Sequence, residues 1–295
     1  TFREVLQNSS NPGFVEIGRR LGKKRIYNYV KKFGLTQKTG VDLPGESCGI
    51  MFDYKNFHEL EQATVAFGQG ISVTPLQLVS AISACVNGGY LLQPHILKEV
   101  RNNNNEIIYQ AKRKVKRQVI KEETSKKVRD ALESVVTDGG GRNAYIDGYR
   151  IGGKTGTAQK AVNGSYVGGG YILSFVGIAP IDDPQIVLYI AMDNPKNCIQ
   201  YGGTTVAPIA RKMLLDILPA LNVKKVKSQR QKSFSVMDKK TIKVENYIGK
   251  QRKEVQNISL RFQFEGKGSV VIDQLPRKGE YVEEGDTIVI MLGEK

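Results

Sequence analysis

The 295-residue sequence contains no tryptophan, only two histidines and only three cysteines. His58 and His95 stand far apart. That argues against a histidine-based catalytic triad or a multi-histidine metal site, and both are expected as loop residues. Cys48, Cys85 and Cys198 are odd in number and form no C-x-x-C pair, so neither a disulfide framework nor a zinc cluster is indicated. Cys85 lies in "LVSAISACV" and is expected as a small buried hydrophobe. No run of 18 apolar residues occurs and no signal peptide opens the chain. The first residue is Thr1 rather than methionine, and the chain is expected to be a fragment of a longer protein. Acidic residues are also short: 29 against 44 Lys and Arg, for a net charge of +15. Such a balance suits anionic surroundings such as nucleic acid, acidic lipid headgroups or acidic cell-wall polymer. The basic residues read as scattered, with no long block.

What is present is ordinary globular composition, 40% hydrophobic and 25% charged, enough for one large and one small domain. Apolar residues at helical spacing mark "NPGFVEIGRRLG" and "KKRIYNYVKKFGL". "GVDLPGE" is a turn region, and "QATVAFGQG" reads as a short buried strand or turn. Thr74 as N-cap and Pro75 as first residue open a helix that Asn87-Gly88-Gly89 closes. Another helix runs through "KEETSKKVRDALESVV". The character then turns to β: "YRIGGKTGTAQ", "YILSFVGIAP" and "QIVLYIAMDNP" predict an antiparallel meander, with Gly/Asn and Asp-Asp-Pro turns between them. "TTVAPIARKMLLDILPAL" reads as an amphipathic helix with Pro208 in its first turn. The expected fold is therefore α+β, an antiparallel sheet covered by helices. Residues 222–239 read as a basic linker. Residues 240–295 read as a small domain near the lower size limit for independent folding, with a helix around Lys250–Ile258 and strands around Leu260–Glu265, Val270–Gln274 and Thr287–Leu292.

Gly148 to Thr155 satisfies the phosphate-loop pattern G-x-x-x-x-G-K-[ST]. The context opposes that reading. No apolar strand leads into it, and no helical period follows. Its second half, Lys154-Thr155-Gly156, is instead the K-T-G triplet that accompanies S-x-N in penicillin-acylated enzymes. Ser9-Ser10-Asn11 supplies an S-x-N.

With "GVDLPGE" (Gly40–Glu46) and "AFGQGISVTPLQL" (Ala66–Leu78), these motifs resemble a class B penicillin-binding protein over residues 1–221. The type is a D,D-transpeptidase closest to sporulation- or elongation-type enzymes of Gram-positive bacteria. The tail, 240–295, resembles a PASTA domain in "VENYIGKQRKEV" and "GKGSVVIDQLPRKGEYVEEGDTIVIMLG". The resemblance implies a penicillin-binding/β-lactamase-like fold, here without its N-terminal part. It implies catalytic roles for Ser9, Asn11, Lys154, Thr155 and Thr157, the last through its backbone N–H as an oxyanion donor. It implies substrate contacts from Ser10, Thr155, Gly156 and Thr157. Lys154 and Thr155 would meet the substrate carboxylate, Ser9 would relay a proton, and Asn11 would hold the substrate amide and the catalytic lysine. Cys198 and Tyr201 would flank the site.

The implied substrates are peptidoglycan stem peptides ending in D-Ala-D-Ala, and the implied inhibitors are β-lactams. Cell-wall synthesis or division proteins are possible partners by resemblance. No nucleic acid, cofactor or metal is implied, and the location would be the extracytoplasmic face of the membrane. One element is missing: no serine in the 295 residues has lysine three places on. The nucleophile S-x-x-K is therefore expected outside this sequence. The alternative is a non-catalytic fragment that binds cell wall or a partner through its PASTA domain and basic surface.

Overall fold

The computed structural model describes residues 1–160, 170–226 and 241–294. Helices α1 (Phe2–Gln7), α2 (Asn11–Leu21) and α3 (Lys23–Lys32) open the chain. Strand β1 (Ile50–Met51), helix α4 (Glu59–Ala66), strand β2 (Ile71–Ser72) and helix α5 (Pro75–Val86) follow. Short strands β3 (Tyr90–Leu92), β4 (Glu99–Arg101), β5 (Ile107–Gln110) and β6 (Val115–Gln118) lead to helix α6 (Glu122–Asp138). The meander is β7 (Gly152–Gln159), β8 (Tyr171–Ala179) and β9 (Ile186–Asp193), followed by α7 (Gly202–Thr205) and α8 (Ala207–Ala220). Strands β10 (Thr241–Lys243), β11 (Arg261–Gly266), β12 (Val270–Leu275), β13 (Tyr281–Glu283) and β14 (Thr287–Gly293) complete the described chain.

The three meander strands pair antiparallel in the order β7-β8-β9, as the sequence predicts. Central β8 is apolar on both faces because helices cover both. Leu173 and Phe175 pack with Ala210, Leu214 and Leu218 of α8. Val176 and Ile178 pack with Val86 of α5 and Leu132 of α6. The result is a three-layer α/sheet/α sandwich with β7 as an outer strand. The Gly/Asn connection between β7 and β8 falls on residues 161–169, outside the described residues, as does most of the linker, 227–239.

Helix α5 forms as its signals require. The Thr74 hydroxyl accepts the Gln77 N–H, and the Gln77 side chain accepts the Thr74 N–H, a reciprocal cap. The segment "QATVAFGQG" is a correction: Gln62–Ala66 belong to helix α4, not a strand. Glu59 and Glu61 lie in its first turn, where carboxylates favour the positive helix end, and Glu61 accepts the His58 N–H at 2.8 Å. The helix is fixed by docking on α2, where Gln62 donates to the Gly18 carbonyl at 2.8 Å. A Cβ on Gly18 would meet that of Ala66 at 2.6 Å.

Residues 241–294 have a separate apolar cluster that includes Val244, Tyr247, Val271, Ile288 and Ile290. The strands predicted there are present as β11, β12 and β14. The expected helix over Lys250–Ile258 is absent, apart from one 3-10 turn at Arg252–Glu254. Its backbone is used for pairing instead. Arg252 N–H donates to the Ser269 carbonyl at 2.9 Å, and Val271 N–H donates to the Lys250 carbonyl at 2.9 Å. β11 pairs parallel to β14 and β12 antiparallel to it.

Candidate active site

The Ser9–Asn11 turn joins α1 to α2. Its geometry follows from caps. Ser10 is the N-cap of α2, with its hydroxyl accepting the Gly13 N–H at 3.3 Å. That capping engages the acceptor side of the residue read as a substrate contact. Ser9 takes the left-handed backbone conformation, φ 51°, which is strained for a non-glycine residue. Asn11 opens α2, and its side chain is exposed, with no hydrogen-bond partner among the described residues. Below this turn, the Gln7 carbonyl accepts the Gly140 N–H at 3.0 Å. This ties α1 to the Gly-rich loop after α6.

Lys154 lies in strand β7, in register with Val176. Gly153, Lys154 and Thr155 are thus strand residues and do not wrap a phosphate. A side chain at Gly153 would strike Phe175 and the Val176 carbonyl, at 2.5 and 2.7 Å. This is why two glycines precede the lysine. The Lys154 ammonium donates to Ser9 Oγ at 2.8 Å, to the Thr155 carbonyl at 2.9 Å and to Thr155 Oγ1 at 3.4 Å. All three acceptors are neutral. Burial pushes the Lys154 pKa down from its ordinary 10.5 to about 8, because the low-dielectric setting penalises the charged form. Its described partners include no carboxylate, so the ammonium is held by neutral oxygens alone.

Thr155 is buried, 7% exposed, whereas Thr157 is exposed. Thr157 Oγ1 accepts the Gly202 N–H at 3.3 Å, which leaves the hydroxyl proton free to point elsewhere. Helix α7 can sit this close because it starts with two glycines. A Cβ on Gly202 would lie 2.5 Å from the carbonyls of both Gly156 and Ser174, and one on Gly203 would lie 2.7 Å from the Tyr201 ring. Asn143 donates to the Gly203 carbonyl at 2.9 Å. Tyr201 sits against Gly140, its hydroxyl in the space a side chain there would occupy, so it flanks the Gly-rich loop.

Sequence reasoning missed Gly202, Gly203, Gly140 and Arg150. Arg150 grips Glu133 through two nitrogens, Nε at 2.8 Å and a terminal one at 2.7 Å. This fixes the entry to β7 against α6. The paired glycines of "YGGTT" and the "DGGG" run were the available signals. Cys198 is half-buried in the Asn194–Tyr201 loop, 3.8 Å from Gln200 Nε2. Among the described residues no cluster of His, Cys, Asp and Glu could hold a metal, and no helix is long and apolar enough to cross a membrane.

The decisive comparison is with the model of the penicillin-binding protein transpeptidase domain, which matches residues 1–215 and so includes both motifs that meet here. The chain belongs to this family. Stage V sporulation protein D of Bacillus subtilis is 50% identical over 298 residues, covering 100% of this chain and 46% of that protein. The probable peptidoglycan D,D-transpeptidase PenA of Neisseria meningitidis is 32% identical over 226 residues, covering 76% of this chain and 37% of that protein. The crystal structure of penicillin-binding protein 3 from Mycobacterium tuberculosis complexed with ampicillin superposes with a TM-score of 0.71 at 32% identity. That match covers 77% of this chain and 52% of the other. The chain thus spans about half the length, or less, of the curated relatives it matches.

Proposed function

We propose that the parent protein is a serine D,D-transpeptidase that cross-links peptidoglycan stem peptides ending in D-Ala-D-Ala, and that β-lactams acylate it. The observation that supports this most is the meeting of Ser9 with Lys154, whose partners among the described residues are all neutral. Acyl transfer of this kind needs a nucleophile, a proton path, an oxyanion site and a rail for the substrate.

In this reading the outer strand β7 is the rail. Lys154 and the Thr155 and Thr157 hydroxyls receive the substrate's terminal carboxylate. The Thr157 N–H donates to the developing oxyanion. The nucleophilic serine, on an S-x-x-K helix beyond these 295 residues, attacks the penultimate D-Ala carbonyl and forms an ester while D-Ala leaves. The Ser9 hydroxyl, bonded to Lys154, passes a proton to the departing amine. An amine from a second stem then attacks the ester, and the same groups run in reverse. Asn11 holds the substrate amide. Ser10 contributes mainly by capping α2, which fixes the turn that presents Ser9.

We read residues 240–295 as a PASTA-like module and place the parent on the extracytoplasmic face of the membrane, beside cell-wall synthesis proteins. Penicillin chemistry supplies the test. Fluorescent penicillin should label the parent covalently and leave the 295-residue chain unlabelled. Labelling of the isolated chain would overturn the placement of the nucleophile. Undiminished labelling of a Lys154→Ala parent would overturn the role given to Lys154.

A further inference from the structure

The basic residues are not scattered. Between Glu16 and Asp42 the sequence carries eight Lys and Arg and no acid, and between Glu106 and Glu122 it carries six and no acid. Folding joins the two runs. Arg117 of β6 donates to the carbonyls of Lys32 at 2.8 Å and Lys31 at 3.2 Å, at the C-terminal end of α3. Lys116 donates to the Lys38 carbonyl at 3.3 Å. Beside these bonds lies a small solvent-open hollow, lined by Lys38, Lys116 and Arg117 with Thr39 and Ser80, over Phe33 and Leu91.

From the hollow, a strip of exposed cations runs along α3. Lys24, Asn28 and Lys32 share one stripe, with Arg25 and Lys31 beside it. Counter-charge is scarce. Glu46 faces Lys116, but its oxygens already accept the Thr39 N–H and hydroxyl and the Gly40 N–H. Arg117 and Lys114 press like charge on Lys116. Glu16 is spent on Arg20, at 2.8 Å. Crowded cations of this kind create a local potential that an outside anion would relieve.

We propose that the strip and hollow bind a flexible, non-nucleotide chain of phosphodiesters. One phosphate sits among Lys38, Lys116 and Arg117, and its neighbours follow α3. The inference is independent of the transpeptidase reading. The concave hollow, with Arg117 half-buried in its wall and Lys38 and Lys116 exposed at its rim, favours a thin chain over a flat layer of headgroups. Nucleic acid is disfavoured because ammonium groups cover tyrosine rings on which bases would stack. Lys23 lies over Tyr54 at 4.4 Å and Lys32 over Tyr29 at 5.3 Å, and Tyr27 is buried.

The test is fluorescence anisotropy with a labelled synthetic poly(glycerol phosphate). Binding should weaken roughly 50-fold between 50 and 200 mM salt if four phosphates are held. The triple variant Lys24→Gln/Lys32→Gln/Lys116→Gln should lose about tenfold or more in affinity. The control Lys253→Gln/Lys267→Gln/Lys278→Gln, with the same net charge, should bind as the parent does. Should the triple variant misfold by circular dichroism, Lys24→Glu/Lys32→Glu, confined to exposed positions, replaces it with the same expected loss. No binding by the parent, or equal loss in the control, overturns the proposal. So does equal or tighter binding of phosphatidylglycerol vesicles, which would point to a bilayer, or of a single-stranded oligonucleotide, which would point to nucleic acid.

Discussion

The ammonium of Lys154 stands 2.8 Å from the hydroxyl of Ser9, across 145 residues of sequence. Its other acceptors are the carbonyl and hydroxyl oxygens of Thr155. No carboxylate is among its described partners, and burial lowers its pKa to about 8. The positive group is held in place before any ligand arrives, so an arriving carboxylate meets it without a reorganisation cost.

Removal of this charge should therefore cost the reaction dearly. In the parent protein, Lys154→Ala should slow penicillin acylation by about 10²–10³-fold, the range for loss of one preorganised electrostatic group. Acylation by the unmodified protein should also decline above about pH 8, as Lys154 loses its proton. Stopped-flow acylation rates from pH 6 to 10 would check both. A flat profile across pH 8 would contradict the role of the charge.

The same lysine should weaken the fold. Below about pH 8 both folded and unfolded states hold the protonated lysine, and the folded state bears the cost of burying it. Between about 8 and 10.5 the unfolded chain binds more protons than the folded one, so stability from this group rises with pH. Lys154→Met should accordingly be the more stable protein at pH 7, by on the order of 1–2 kcal/mol. Its advantage should shrink towards pH 10. Urea unfolding at several pH values measures the gap, and a gap that widens with pH would refute the argument.

Ser9 separates function from strain. Its φ of 51° is costly for serine and free for glycine. Ser9→Gly should raise stability by about 0.5–1 kcal/mol while removing the hydroxyl. Ser9→Ala should remove the hydroxyl without that gain. Both should slow acylation alike, as thermal melts paired with acylation rates would reveal.

Gly202 should tolerate nothing larger. A methyl there meets two backbone oxygens at 2.5 Å, those of Gly156 and Ser174, and backbone cannot swing aside as a side chain can. Gly202→Ala should cost about 1–3 kcal/mol as an overpacking substitution. It should also push α7 off Thr157, raising KM in the parent protein more than a surface substitution does.

Gln274 holds the C-terminal unit. It is 1% exposed. Its amide donates to the carbonyls of Glu245 at 2.9 Å and Pro276 at 3.2 Å, and its oxygen accepts the Tyr247 N–H at 2.6 Å. Gln274→Ala strands buried backbone groups and should destabilise residues 241–294 by about 2–3 kcal/mol. Hydrogen exchange should show the loss there and spare the β7–β9 sheet.

Much of this was legible beforehand. The Thr74 N-cap, the Pro75 start and the apolar runs of β7, β8 and β9 are local signals, and each formed as expected. Segments decided by distant partners were not legible. "QATVAFGQG" has the composition of a strand, yet it became helix because Gly18 of α2 offers a close seat. Lys250–Ile258 has helical composition, yet its backbone was taken by Ser269 and Val271. The Lys/Arg runs at 19–38 and 112–121 looked diffuse because 73 residues lie between them; Arg117 of β6, bonded to the end of α3, makes them a single surface.

For this protein, sequence alone determined the chemistry on offer: S-x-N, K-T-G, a β meander between helices, and no S-x-x-K. Those are short-range facts of residue type and period. Only the tertiary structure decided that Lys154 reaches Ser9, that its ammonium is largely buried with no carboxylate among its described partners, and that two glycines let α7 close on Thr157. These depend on distances between parts of the chain that no local pattern encodes, and on burial, which sets the charge state of a lysine only once the layers have packed.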